Sequence, residues 1–290
     1  MSKVAALVVT YNRLPLLRET IEALKNQTYP PEEILIVDNF SGDGTREWLT
    51  GEAKRYGLKT LFLPENTGGA GGFFHGLKWL SLNWQGDFIW LLDDDACPEA
   101  EALHKLLGAA RQLPKALGFF PGVYTRQGQI EGYSWPKKHY RPGDFPPHPG
   151  YSLKETGEEP LGPVAVGTFV GLLLKFSAFK NIGFPRADFF ICFDDIEYTW
   201  RLSRHGELYF VPSARIHHHY FRPVLRGPKV YYFFRNWTYL SVHIGARSRT
   251  RAFIFWWLYL LRHRNFSVKE WKLGLKGIRD GISGRLGKRL

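Results

Sequence analysis

Phe88-Ile89-Trp90-Leu91-Leu92-Asp93-Asp94-Asp95 is the stretch from which the fold follows. Its five apolar residues run without polar alternation, as in a strand buried on both faces, and stop abruptly at three carboxylates. Similar short apolar runs lie upstream, each followed by a helix-forming segment. Residues 4–9 lead to a predicted helix over 15–26, and residues 34–37 to one over 45–56. Residues 61–63 lead through a glycine-rich loop to a helix reaching residue 84, and residues 98–113 read as the helix after the aspartates. Repeated strand-helix units predict an α/β fold, Rossmann-like, with a mostly parallel sheet covered by helices on both faces.

Sheets of this kind bind ligands beyond the carboxyl ends of their strands, and polar residues gather there in this chain. Thr10-Tyr11-Asn12-Arg13 follows the first run, Asp38-Asn39 the second, Asn66-Thr67-Gly68-Gly69 the third and the aspartates the fourth. Residues 122–163 break the pattern with Pro, Gly, Tyr and His, too long for an ordinary connection and therefore a lid or an insertion. Regularity returns over 164–175, in a helical stretch over 194–205 and in a strand over 208–211 that ends at Pro212.

A chain of 290 residues can build one α/β domain with an appendage, and two cysteines exclude a disulfide framework or a four-thiolate zinc site. Cys97 and Cys192 are expected to be buried small residues without a disulfide. No signal-peptide succession follows Met1, so a cytosolic setting is the expectation. The formal charge of +12 is unevenly spread. Residues 221–290 hold 16 Lys/Arg against Glu270 and Asp280, whereas residues 1–220 hold 23 against 25 acidic residues. A near-neutral body thus precedes a basic tail, which alone fits anionic lipid, nucleic acid or an anionic substrate.

The tail is helical in character. Residues 252–261 are uncharged and include Phe253, Phe255, Trp256, Trp257 and Tyr259, yet fall short of the roughly 20 residues that span a bilayer. Val268, Trp271, Leu275, Ile278, Ile282 and Leu286 then recur at helical spacing behind a capping box of Ser267 and Glu270. With Lys and Arg between them, the region 251–290 reads as helix lying on an anionic membrane surface. The alternative is an amphipathic helix packed on the body.

Adjacent carboxylates repel one another unless a cation neutralises them, and the first and third residues of a strand triplet share a side. Asp93 and Asp95 are therefore candidate ligands of Mn2+ or Mg2+, against the alternative of a solvated acidic turn. Asp38, at a strand tip, can accept hydrogen bonds from a nucleobase or ribose, or simply begin a turn. The glycines after Asn66 let backbone approach a nucleotide closely, although the loop has neither a P-loop lysine nor dinucleotide spacing. Asp194, Asp195 and Glu197 open a helix, where the dipole favours carboxylates and Asp194 suits the N-cap; Asp195 is the candidate general base. His217-His218-His219 supplies candidate metal nitrogens or a structural cluster.

Taken in order, these segments resemble the family 2 glycosyltransferases of the GT-A fold over nearly residues 3–240. The resemblance rests on Val8-Val9-Thr10-Tyr11-Asn12-Arg13, on Val37-Asp38-Asn39 with Ser41 and Asp43-Gly44-Thr45, and on Asn66-Thr67-Gly68-Gly69 with Gly72-Phe73. Asp93-Asp94-Asp95 matches the DxD motif, and Asp194-Asp195 stands where the family has Glu-Asp, with Glu197 replacing a common Asp. Asp194-Asp195-Ile196-Glu197-Tyr198 and Tyr231-Tyr232-Phe233-Phe234-Arg235-Asn236 are most similar to bacterial galactofuranosyl- and rhamnosyltransferases. The Gln-x-x-Arg-Trp motif and spanning helices of processive synthases are missing, which implies addition of one or a few sugars.

The resemblance implies an inverting transfer from a UDP- or dTDP-linked sugar to a hydroxyl of a glycan or lipid-linked cell-envelope acceptor. Thr10, Tyr11, Asn12, Arg13, Asp38, Asn66, Gly68, Gly69, Asp93 and Asp94 would bind the donor. Asp93, Asp95 and a histidine would hold Mn2+ or Mg2+; spacing from Ala214 favours His218 and spacing from Asp195 allows His219. Asp195, beside Asp194, would take the acceptor proton. Residues 1–220 would form the catalytic domain, with 122–163 as an acceptor-side insertion that meets the acceptor around Tyr133 to Tyr151. There Trp135, Tyr140 and Phe145 either stack on sugars or pack the insertion onto the body. Residues 221–290 would hold the enzyme, cytoplasmic and peripheral, on the inner face of the cell membrane. Nucleic acid is not an expected partner, and oligomeric state is left open. A sugar nucleotidyltransferase would need a basic glycine-rich loop where Val9-Thr10-Tyr11-Asn12 stands, and a non-catalytic binding protein leaves both acidic clusters without a role.

Overall fold

The computed structural model describes residues 2–131, 134–143, 160–219, 225–245, 249–262 and 266–290. Tyr133, Phe145, Tyr151 and the side chain of Phe255 lie outside the described residues. The first half alternates as expected: β1 (Val4–Thr10), α1 (Leu14–Lys25), β2 (Glu33–Asp38), α2 (Thr45–Tyr56), β3 (Lys59–Phe62), α3 (Gly68–Asn83) and β4 (Phe88–Asp93). These four strands pair in parallel, with β1 between β2 and β4 and buried along its whole length. The register sets Val9 beside Asp93 and Thr10 beside Asp38, so three strand tips end at one level.

The second half adds β5 (Ala96–Pro98), α4 (Ala102–Gln112), β6 (Gly118–Thr125), β7 (Leu172–Lys175), α5 (Phe176–Ile182), α6 (Asp194–Ser203) and β8 (Leu208–His218). α7 (Pro228–Tyr239), α8 (Arg249–Arg262) and α9 (Val268–Ile282) complete the chain. Among the described residues the sheet order is β3-β2-β1-β4-β7-β6-β8-β5. β7 runs antiparallel to its neighbours, whereas β6 and β8 are parallel.

Two elements differ from the sequence expectation, and both matter for the site. The segment after the aspartates forms β5, antiparallel to the end of β8 with Ala96 opposite His218; helix begins only at Ala102. β8 does not stop at Pro212 but continues to His218 across a register shift, where β6 passes from Pro121 to Gly122. A proline donates no ladder hydrogen bond, and a bulge is the place where a strand tolerates one.

The tail is not a separate layer. Phe189, Phe193 and Ile196 of the body share a buried cluster with Val230, Phe234, Trp237, Ala252, Trp256 and Ile278, so this core crosses the boundary expected at residue 220. α9 lies along α7 so closely that a Cβ at Gly277 or Gly281 would strike the carbonyl of Tyr231 or Arg235. The capping box forms: Ser267 N donates to Glu270 Oε2 at 2.8 Å and Glu270 N to Ser267 Oγ at 3.3 Å. Ile278 is buried, and Trp271, Ile282 and Leu286 pack on the same cluster. α9 is thus an amphipathic helix packed on the body with Val268 and Leu275 left exposed, and the larger exposed apolar face belongs to α8, through Phe253, Ile254, Trp257, Leu258 and Leu261. No helix among the described residues is long and apolar enough to cross a membrane.

Candidate active site

β4 ends in Asp93 and the β5-β8 pairing turns the next residues back toward the end of β8. One ligand atom each from Asp93, Asp95 and His218 consequently lies within 4.8 Å of the others. His218 Nε2 is 3.0 Å from Asp95 Oδ1, and its Nδ1 is 2.8 Å from Glu131 Oε2. Glu131 is buried and was not anticipated; a carboxylate on the far nitrogen of a metal-type histidine fixes its tautomer and orientation. Two carboxylates and one imidazole with such support fit Mn2+ and admit Mg2+.

The electrostatics show the same demand for a cation. Burial, followed by the charge of Asp95, pushes Asp93 up to about 7, and burial pushes Asp94 up to about 6. Burial also works against a charged His218, but its hydrogen bonds to Asp95 and Glu131 carry it up to about 10. Asp95, although burial raises it, is held below the usual carboxylate range by His218 and Arg13. The other two histidines go elsewhere, since strand alternation separates His217 from His218. His217 Nε2 meets Glu99 Oε1 at 2.9 Å, and His219 turns to Glu19, at 3.1 Å, and Cys97. Arg126 already pairs with Glu19.

Asp94 is committed within the protein. It accepts from Thr10 Oγ1 at 2.8 Å and Arg13 Nη1 at 3.2 Å, and Arg13 also reaches Asp95 at 2.8 Å. These bonds lock the turn after β1 to the aspartates. Asn12, at φ 55°, accepts from Gly42 N at 2.7 Å and so ties the same turn to the one after β2. Asp38 differs from expectation: it is 0 % exposed, its oxygens accepting from Ser41 N at 3.2 Å and Arg46 Nε at 2.8 Å. In this arrangement both carboxylate oxygens of Asp38 are held by the protein's own donors. The surface above it is aromatic, with Tyr11 and Phe40 exposed and Arg46 stacked over Phe40 and Phe62.

Asn66 accepts from Gly68 N at 2.8 Å, and Asn39 from Thr67 N at 2.9 Å, which shapes the entry to α3. Around Gly69 a Cβ would meet nothing within 4 Å, so the helix start is open to a ligand. A helix N-terminus offers free amides and a positive dipole to anions. Gly68, at φ 73°, stands where any Cβ would collide with the carbonyl of Phe190, and Ala70 N donates to that oxygen at 3.1 Å.

Phe190 belongs to the loop that delivers Asp194 and Asp195. Phe190, Cys192 and Phe193 all have positive φ (63°, 72° and 67°), a conformation costing non-glycine residues on the order of 1–3 kcal/mol each. α7 holds the strain. Asn236 Nδ2 donates to the carbonyls of Phe189, Ile191 and Cys192 at 2.9, 2.9 and 2.8 Å, and Arg235 Nη2 to Phe189 O at 2.7 Å. Both side chains are fully buried. Burial pushes Asp195 up to about 6, and burial with the charge of Asp195 pushes Asp194 well up. Asp195 Oδ1 accepts from Ile196 N at 2.7 Å, and the residue remains partly exposed. Glu197 is taken by Arg201, in a two-pronged pair at 3.0 and 2.9 Å. Trp135 is buried, its Nε1 on Val123 O at 2.7 Å, so it packs the insertion and does not face a sugar; Tyr140 packs on the second cluster. Cys97 and Cys192 are free thiols.

A curled α/β sheet with an acidic triplet at its central edge and a carboxylate at a facing helix start defines a GT-A glycosyltransferase. Residues 5–183 match the sequence model of the family described as Glycosyl transferase family 2, and the chain belongs to that family. It is 26% identical over 292 residues to galactofuranosyltransferase GlfT1 of Mycolicibacterium smegmatis, covering 92% of this chain and 93% of the relative. It is 27% identical over 249 residues to the N-acetylglucosaminyl-diphospho-decaprenol L-rhamnosyltransferase of Mycobacterium tuberculosis, covering 76% and 77%. The crystal structure of GalNAc-T7 with UDP, GalNAc and Mn2+ superposes with a TM-score of 0.66 at 15% identity, over 83% of this chain and 48% of that one.

Proposed function

We propose that this glycosyltransferase moves a galactofuranosyl or rhamnosyl residue, with inversion, from a UDP- or dTDP-linked donor to a hydroxyl of a lipid-linked cell-envelope glycan. The observation that carries the reading is Asp195, partly open on a rigid loop and near enough to Asp93 for the two charges to interact. The similarity to galactofuranosyl- and rhamnosyltransferases supports the sugar class.

The donor's base lies against Tyr11 and Phe40, with Arg46 behind, and its diphosphate faces the start of α3 at Gly69. Asp93, Asp95 and His218 would hold Mn2+ or Mg2+, which would supply charge stabilisation to the departing diphosphate. Glu131 keeps His218 in the ligating tautomer. Asp195 takes the proton of the acceptor hydroxyl as that oxygen attacks the anomeric carbon from the opposite side. Phe190, in contact with Gly68 and Ala70, sets the distance between donor loop and base. The exposed face of α8, with Arg and Lys in the surrounding tail, seats the enzyme peripherally on an anionic membrane.

A panel of UDP-, dTDP- and GDP-sugars with Mn2+ tests the reading. Binding and metal-dependent turnover of one donor are expected; no binding across the panel contradicts it.

A further inference from the structure

Lys137 presents a head group that the protein itself does not answer. It is 8 % exposed, and its Nζ is enclosed with no hydrogen-bond partner among the described residues. An unpaired ammonium in such surroundings is costly unless something pairs with it or it loses its proton.

Its position is fixed by backbone and not by its own head group. Lys137 N donates to Val166 O at 2.8 Å, and Ala165 N to Lys137 O at 2.7 Å. The next residue, Gly167, donates through N to Thr199 Oγ1 at 3.2 Å and accepts from that hydroxyl at 3.0 Å. Thr199 Oγ1 also reaches Asp195 O at 2.7 Å. The lysine is thereby carried beside the first turn of α6, where its charge and that of Asp195 act on each other without an ion pair. Burial pushes its ammonium down to about 7, and Asp195 opposes that shift. Of the other cleft acids, Glu131 and Asp95 are engaged with His218, and Asp94 with Arg13 and Thr10.

We propose that Lys137 is a substrate-binding residue that grips a diphosphate oxygen entering beside Asp195. The inference rests on the glycosyltransferase reading above. A neutral sugar hydroxyl does not repay the desolvation of an ammonium; a phosphate oxygen does, through a charge-assisted hydrogen bond. The reaction brings two such groups to the cleft: the donor's diphosphate and that of a polyprenyl-diphosphate acceptor.

The test compares Lys137→Met and Lys137→Arg with the unaltered full-length chain. One arm titrates UDP and dTDP in Mn2+ by calorimetry. The other measures transfer to a polyprenyl-diphosphate glycan and to an alkyl glycoside of the same glycan. Lys137→Met is expected to keep or raise the melting temperature, since it removes a buried polar head without a partner, and to weaken one arm about 10- to 100-fold. Lys137→Arg should recover part of that loss. Weaker nucleotide binding assigns the donor diphosphate, and a higher KM for the polyprenyl acceptor alone assigns the acceptor's; either upholds the proposal. Lys137→Met with both arms unchanged, or changed only in proportion to lost folding, overturns it. An unaltered chain that neither binds nucleotide nor transfers sugar refutes the glycosyltransferase reading instead.

Discussion

The metal-type triad and the base loop are built on opposite plans. Asp93, Asp95 and His218 stand at the ends of paired strands, where ladder register places them and neighbouring backbone is unstrained. Asp195 follows three residues with positive φ and keeps its place through Arg235 and Asn236, forty and forty-one residues downstream. Strand register resists local substitution because every bond of the ladder would have to shift. A strained loop depends on its clamps, so damage there should reach catalysis more than donor binding, which meets the loop through Phe190 at Gly68 and Ala70.

The comparison breaks most sharply at the triad. Asp93→Ala should lose Mn2+ binding by calorimetry and lower transfer by roughly 10^3-fold, the scale of several kcal/mol of charge stabilisation. Asn236→Ala probes the other plan: it removes a donor from three loop carbonyls, of which Phe189 O keeps Arg235. Unfolding in urea should show a loss of about 3 kcal/mol or more, with kcat falling and UDP affinity retained. Equal losses of kcat and UDP affinity would erase the distinction between the two regions. Glu131→Gln should weaken Mn2+ binding about 10- to 100-fold by leaving His218 without its orienting carboxylate. Folding should survive, because Glu131 acts on one side chain only.

A pH profile separates the regions more gently. Burial raises Asp195 to about 6, and a base works only when ionised, so log kcat should fall with unit slope below about pH 6 and level off above it. A smaller effect concerns the surface: Trp257→Glu with Leu258→Glu on α8 should release the protein from phosphatidylglycerol vesicles and leave donor turnover unchanged. Retained sedimentation would remove α8 as the membrane seat. Matching changes on α9 would instead disturb its packing on α7, and through it the loop that carries Asp195.

What the sequence conveyed follows the same division. The elements from β1 to β4 could be read almost to the residue because each apolar run and each helix is a local pattern. Asp93, Asp95 and the histidine triplet were visible as types, but the choice of His218 depends on β5. Ala96-Cys97-Pro98 becomes a strand only because β8 lies ready to pair with it, and no local pattern announces that. Asp38 is legible as a strand-tip acceptor, whereas its internal donors Arg46 and Ser41 become visible only in the fold. Glu131 and Lys137 sit in a stretch without periodicity, and their meaning lies in partners distant in the chain. The amphipathic period of α9 was correct as a helix signal yet ambiguous about its partner. Gly277 and Gly281, which let it settle onto α7, decide the matter.

Asp195→Asn in the full-length chain addresses the central claim most directly, with donor binding and sugar transfer followed on one preparation. The substitution keeps the shape of the side chain and removes its basicity. Mn2+-dependent binding of the UDP- or dTDP-sugar should be retained while transfer falls roughly 10^2- to 10^4-fold, the contribution of a positioned general base. Transfer at the unaltered rate would contradict the account.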